Sequence, residues 1–138
     1  MPSVERFAYT NSRNSAGESV LLPLLPLVLR LQEQSVAASG LLDSGATVNV
    51  LPYALGLQLG AVWEQQTVRV RLGGNLANHE ARALLLSAVV GDFELVRLAF
   101  AWTRAENVPL ILGQINFFAE FDICFFRAQQ AFEVSRKS

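Results

Sequence analysis

A chain of 138 residues lies near the commonest size of a single domain, and with 51% hydrophobic residues it can fill a real core, which excludes a disordered chain. Eleven basic against twelve acidic residues leave a net charge of -1, so no broad field attracts nucleic acid or an anionic membrane. Only 17% of the residues are charged, so the chain has more apolar surface than a small monomer hides, and self-association is one outlet for it.

Residues 1–19 are polar, with the turn formers Asn11, Asn14 and Gly17 and no periodicity, and they read as a flexible or partner-contacting arm ahead of one domain over 20–138. The apolar stretch 20–29 is about half the length a membrane helix needs and contains Pro23 and Pro26. It also follows a polar segment with no small-residue cleavage site, so it is expected to be an extended entry into the core. Neither membrane nor nucleic acid is an expected partner.

Residues 24–32 and 36–42 read as two strands of a hairpin turned at 33–35. Val48, Val50 and Leu51 start a short β-branched run ended by Pro52, and residues 52–57 form a single helical turn against which Trp63 is expected to pack. Clean alternation over 67–72, the turn formers Gly73, Gly74 and Asn75, and a second arm over 80–86 predict a hairpin. A further hairpin turns at Gly91 and Asp92 before the alternating run 96–102. The apolar strand 109–113 precedes the best helix candidate, 114–121, and strands over 123–126 and 132–134 close the chain. This is an all-β pattern with one short helix. The single cysteine, Cys124, sits in an apolar run, where it reads as a buried small hydrophobe, and a chain with no possible internal disulfide fits a reducing cytoplasm.

The most informative stretch is Leu41-Leu42-Asp43-Ser44-Gly45-Ala46, a carboxylate between an aliphatic strand and a tight turn. It occurs once, since neither Asp92 nor Asp122 is followed by Ser-Gly or Thr-Gly. Alone, Asp-Ser-Gly is a common turn composition. Three further features follow in order: the run 48–52 with Leu55-Gly56-Leu57, the Gly73-Gly74-Asn75 turn, and Leu110-Ile111-Leu112-Gly113 ahead of the helix candidate. Together they resemble the retroviral-type aspartic proteases, the retropepsins, and among them the bacterial and cyanobacterial single-domain members.

The resemblance implies a closed acid-protease barrel and, with one acidic loop per chain, an enzyme active only as a symmetric homodimer. Asp43 is then the catalytic carboxylate, supplied once by each subunit. Two carboxylates face to face cannot both ionise cheaply and share one proton. The ionised one draws a proton from water, which attacks the scissile carbonyl while the protonated one donates to the carbonyl oxygen. No metal, cofactor or covalent intermediate is required. Ser44 corresponds to the hydroxyl that bonds across the dimer axis, and Gly45 and Ala46 keep the loop close to the peptide. Leu72, Gly73, Gly74 and Asn75 correspond to a flap over an extended peptide or protein substrate. A cleft lined by Leu42, Val68, Val70, Leu72 and Ile111 would favour apolar side chains around the cleaved bond, Leu42 and Ile111 being the pocket candidates. Gln114 stands where viral members have an arginine that ties into the dimer, so that tie is expected to be absent.

His79, the only histidine, lies beside the expected flap and reads as a solvated loop residue, which leaves no Ser-His pair. The aromatic residues Phe117, Phe118, Phe121, Phe125 and Phe126 read as core packing, and Phe132-Glu133-Val134 as a candidate for the dimer sheet. The competing readings are a catalytically silent peptide-binding or interaction module of the same fold, and a structural domain whose acidic loop is coincidental. Metal binding is poorer, with one aspartate in the loop and no clustered His or Cys.

Overall fold

The computed structural model describes residues 4–137 and contains twelve strands and one short α-helix. In chain order the strands are β1 (Glu5–Ala8), β2 (Thr10–Arg13), β3 (Ser19–Leu22), β4 (Leu24–Leu31), β5 (Gln34–Leu42) and β6 (Val50–Pro52), followed by α1 (Tyr53–Gln58). Then come β7 (Arg69–Val70), β8 (Ala81–Val90), β9 (Val96–Thr103), β10 (Ile111–Leu112), β11 (Phe121–Phe126) and β12 (Ala131–Arg136).

Strands β4-β5-β10-β6-β9-β8 run in order, and an extra β4–β8 pairing closes them into a six-strand barrel to which β7 is attached through β8. Closure removes the free edges that an open sheet would expose. The alternation that marked the strands in sequence now has a direction. Leu25, Leu27 and Leu29 of β4, Leu84, Leu86, Ala88 and Val90 of β8, and Val96, Leu98, Phe100 and Trp102 of β9 all point into one buried cluster. Each large aliphatic side chain so buried contributes about 1.5–3 kcal/mol.

Three strands carry a second apolar layer on their other face. Leu51, Trp102 and Leu112 enter the main core, whereas their neighbours Val50, Ala101 and Ile111 join a smaller cluster with Leu72, Ala81, Val70 and Leu76. Period-2 geometry therefore lets the same three strands build both the core and a separate apolar floor.

The helix lies where the sequence has Pro52 just ahead of a helical turn, and it packs through Gly56, at which a Cβ would fall inside the indole of Trp102. Trp102 is fully buried, donates from Nε1 to the Tyr53 carbonyl at 3.1 Å and stacks on the Tyr53 ring at 5.4 Å. Trp63 completes the aromatic group edge-on to both, with the Arg82 guanidinium 4.5 Å from its centroid.

Several expectations are corrected. Residues 114–120 form consecutive turns instead of a continuous helix: Phe117 N and Phe118 N both reach Gly113 O, and Glu120 N and Phe121 N both reach Phe117 O, so the regular one-to-one ladder of a helix is missing. Packing of the stacked, buried Phe117 and Phe121 rings outweighs a weak local helix preference. The polar N-terminal segment, from residue 4 on, is largely strand: Phe7 stacks on Phe132 as β1 pairs with β12, and β2 pairs with β3 around a turn in which Asn14 Oδ1 accepts from Ala16 N and Glu18 N. Residues 1–3 lie outside the described residues. Cys124 is exposed, because alternation along β11 turns Ile123 toward the core and its neighbour outward. Phe125 is likewise 42% exposed instead of packed. Among the described residues no helix is long and apolar enough to cross a membrane.

Candidate active site

Strands β5 and β10 run parallel with Leu41 beside Ile111 and Leu42 beside Leu112, so both chains leave the barrel side by side. Asp43 is the first residue past the end of β5, and its N–H donates to Leu112 O at 3.1 Å. The loop then turns tightly: Ala46 N donates to Asp43 O, and Gly45 N donates to the Asp43 carboxylate at 2.9 Å. This last bond fixes one carboxylate oxygen by a backbone donor from its own turn.

The segment after β10 cradles the rest of the loop. Gly113 lies against Ala46 and Val48, and a Cβ there would come within 2.6 Å of the Val48 carbonyl oxygen. Gln114 N and Ile115 N donate to Ala46 O and Thr47 O at 2.9 and 2.8 Å, and the Gln114 side-chain amide donates to Ser44 O. Below them Asn49 is fully buried with every polar group occupied. Its Oδ1 accepts from Gly113 N at 2.8 Å, its Nδ2 donates to Ala99 O at 3.1 Å, and its N–H donates to Asn116 Oδ1 at 3.0 Å.

Asp43 opens onto a cleft of about 390 Å³ lined by Gly45, Ala46, Thr47, Val48, Val50 and Ile111 together with residues 72–76. Asp43 is half-buried, and it is the only ionisable side chain among the cleft-lining residues. A hollow of about 450 Å³ elsewhere, bounded by Leu31, Gly60 and Leu84, is lined by no ionisable side chain. No group of three or more His, Cys, Asp or Glu that could hold a metal occurs among the described residues.

The structure thus gathers Asp43, Gly45, Ala46, Leu72, Gly73, Gly74, Asn75 and Ile111 around one cleft, with Ser44 exposed on the loop beside it. Leu42 departs from its expected place: it is 4% exposed and belongs to the main core, because alternation along β5 turns it away from the cleft. Val68 is 63% exposed outside the cleft, and Val70 packs against the smaller cluster without lining the opening. The expected hairpin tip is instead an arch. β7 is two residues long, and a 3-10 turn over Gly74–Leu76 follows it, with Gly74 at φ +57° where a glycine is favoured. His79 is exposed, as its loop position suggests.

Sequence reasoning missed Thr47, Val48, Val50 and Leu76 as lining residues and Asn49 and Asn116 as ties. Val48 and Val50 carried a signal, since both stand at alternate positions in the β-branched run that leaves the loop. The asparagines carried none, because their partners lie about fifty residues or more away.

No protein-family model and no curated protein matched the chain. Among solved structures, a retropepsin-like aspartic protease from Rickettsia conorii superposes with a TM-score of 0.61 over 96% of this chain and 92% of that one, at 17% identity. The retroviral protease-like domain of Ddi1 from Leishmania major gives a TM-score of 0.48 at 17% identity, over 67% of this chain and 73% of that one. The barrel, the acidic loop after β5 and the first of these likenesses define a retropepsin-like, all-β fold.

Proposed function

We propose that the chain is an aspartic endopeptidase that works as a homodimer, each subunit contributing Asp43 to one shared dyad. The observation that carries this reading is the solitary carboxylate: Asp43 alone is ionisable among the residues lining a cleft walled by Gly73, Gly74 and Asn75. One carboxyl cannot be acid and base in the same step, so a second copy supplies the other. The ionised Asp43 takes a proton from a water held between the pair. That water attacks the scissile carbonyl, and the protonated Asp43 of the partner subunit donates to the carbonyl oxygen.

The substrate is an extended peptide with apolar residues flanking the cleaved bond, which Val48, Val50, Leu72, Leu76 and Ile111 accommodate by burial. Ser44 braces the two loops across the axis, and the 72–76 arch covers the peptide and excludes water. The direct test is Asp43→Asn against a peptide library with apolar centres. Cleavage is expected to drop by at least about a hundredfold with the fold unchanged by circular dichroism. Turnover retained at the native level would reassign the chemistry.

A further inference from the structure

The arch has a second hollow, separate from the cleft. Alternation through 69–71 sends Val70 into the smaller apolar cluster and leaves Arg69 and Arg71 exposed on the other face. Residues 77–80 return toward β8, whose Ala81 pairs with Val70. Between these two arms lies an open hollow of about 660 Å³ whose polar lining is Arg69, Arg71, Asn78, His79 and Glu80. Its one carboxylate is already engaged. Glu80 Oε2 accepts from Arg82 Nε at 3.1 Å and lies 3.1 Å from a terminal nitrogen of the same guanidinium, while Arg69 Nε stands off at 3.6 Å. Arg82 is itself fixed from behind, donating to the Trp63 carbonyl at 2.8 Å and lying over the Trp63 ring. Arg71 forms no ion pair among the described residues. The hollow therefore presents two guanidinium groups, an amide and an imidazole against a carboxylate that a third arginine neutralises.

We infer that this hollow is an anion site whose ligand is a phosphate group, free or carried on a small molecule. A guanidinium offers a planar fork of N–H donors, and two of them on one face, two residues apart, can close on neighbouring oxygens of one tetrahedral anion. Asn78 and His79, on the returning arm, supply N–H donors for the oxygens that remain. A phosphate fills only part of the hollow, which leaves room for the group that carries it. The consequence falls on the arch. Residues 72–76, which line the cleft, are joined at their two ends to these arms, so an anion held by both arms fixes the spacing between them. Binding here is independent of whether the cleft cuts peptides.

The full chain is titrated by calorimetry with inorganic phosphate and, separately, with adenosine monophosphate. Ionic strength is held constant with chloride, because exposed charges respond to salt alone. Saturable binding of one anion per chain is expected, with a dissociation constant of about 1 mM or tighter. The double variant Arg69→Ala, Arg71→Ala is expected to weaken it at least about tenfold, since both charge-assisted forks are lost. Arg30→Ala, which removes an exposed arginine of β4 outside the hollow, is expected to leave it unchanged. Tighter binding of the nucleotide assigns the phosphate to a carrier molecule, and equal binding assigns it to the free ion. Hydrogen exchange of the native chain locates the site without any substitution: amides over 69–80 are expected to exchange more slowly with phosphate bound, and this measurement decides if the double variant fails to fold. A dissociation constant weaker than about 10 mM, an affinity unchanged in the double variant, or protection confined to other residues overturns the site.

Discussion

Gly113 lies so close beneath the acidic loop that a Cβ placed on it would come 2.6 Å from the Val48 carbonyl oxygen and 2.9 Å from that of Ala46. Both neighbours are backbone, and both belong to a loop whose carbonyls are held by Gln114 N and Ile115 N. The obstruction therefore cannot be relieved by rotating a side chain. A single hydrogen in place of a methyl group lets the two chains leaving the barrel touch.

Gly113→Ala is expected to destabilise the fold by about 1–3 kcal/mol, as overpacking of a well-packed site does. It should also displace the loop that carries Asp43. Thermal unfolding followed by circular dichroism, together with peptide cleavage, checks both. An alanine variant with native melting temperature and native activity would contradict the close approach.

Asn49→Leu keeps the branched outline of the side chain, with a larger volume, but removes both of its polar atoms. Gly113 N and Ala99 O then lose their partners inside the protein, and each buried group left unpaired costs about 1–3 kcal/mol. A clear fall in the denaturant midpoint is expected, with the slope of the transition unchanged. Asn49→Ser, which retains one polar atom, should recover part of the loss.

Gly56→Ala tests the other glycine contact. The added methyl would overlap the fully buried indole of Trp102, which stacks on Tyr53 and meets Trp63 edge-on. Since all three rings are packed on one another, none can move alone, and a loss of about 1–3 kcal/mol is expected. The site lies away from the cleft-lining residues, so cleavage per folded molecule should stay close to native. A large loss of specific activity at native stability would be the contrary result.

Dimerisation should show in the concentration dependence of activity. Under the dimeric reading the active centre exists only between subunits, so activity should fall faster than protein concentration on dilution through the dissociation range. Sedimentation equilibrium locates that range. Activity strictly proportional to concentration throughout it would contradict a centre shared between two copies.

Local patterns carried much of the architecture. The strand 96–103 follows from alternation of apolar and polar positions, the strands at 24–31 and in the first half of 81–90 follow from apolar runs bounded by turn formers, and Pro52 marks the helix start, because such signals depend on neighbours a few residues away. The acidic loop was equally legible, since a carboxylate between an aliphatic strand and Ser-Gly-Ala is a contiguous motif. The turn segment 114–120 was not, because its irregular backbone bonding goes with burying the stacked Phe117 and Phe121 rings in a core built by strands distant in the chain. The strand character of Glu5–Ala8 was hidden for the same reason, its partner being the C-terminal strand.

By itself the sequence determined that the chain is a β protein with one candidate carboxylate at Asp43, because alternation, turn chemistry and a short motif are written in consecutive residues. Only the tertiary structure decided that Ile111 reaches the cleft while Leu42 enters the core, that Asn49 pins the loop from below, and that β11, not β12, keeps a free edge. Each of these depends on which face a residue turns to a distant strand. A one-residue difference in register reverses that face, and register across a barrel is set by packing and hydrogen bonds between segments that the linear order keeps apart.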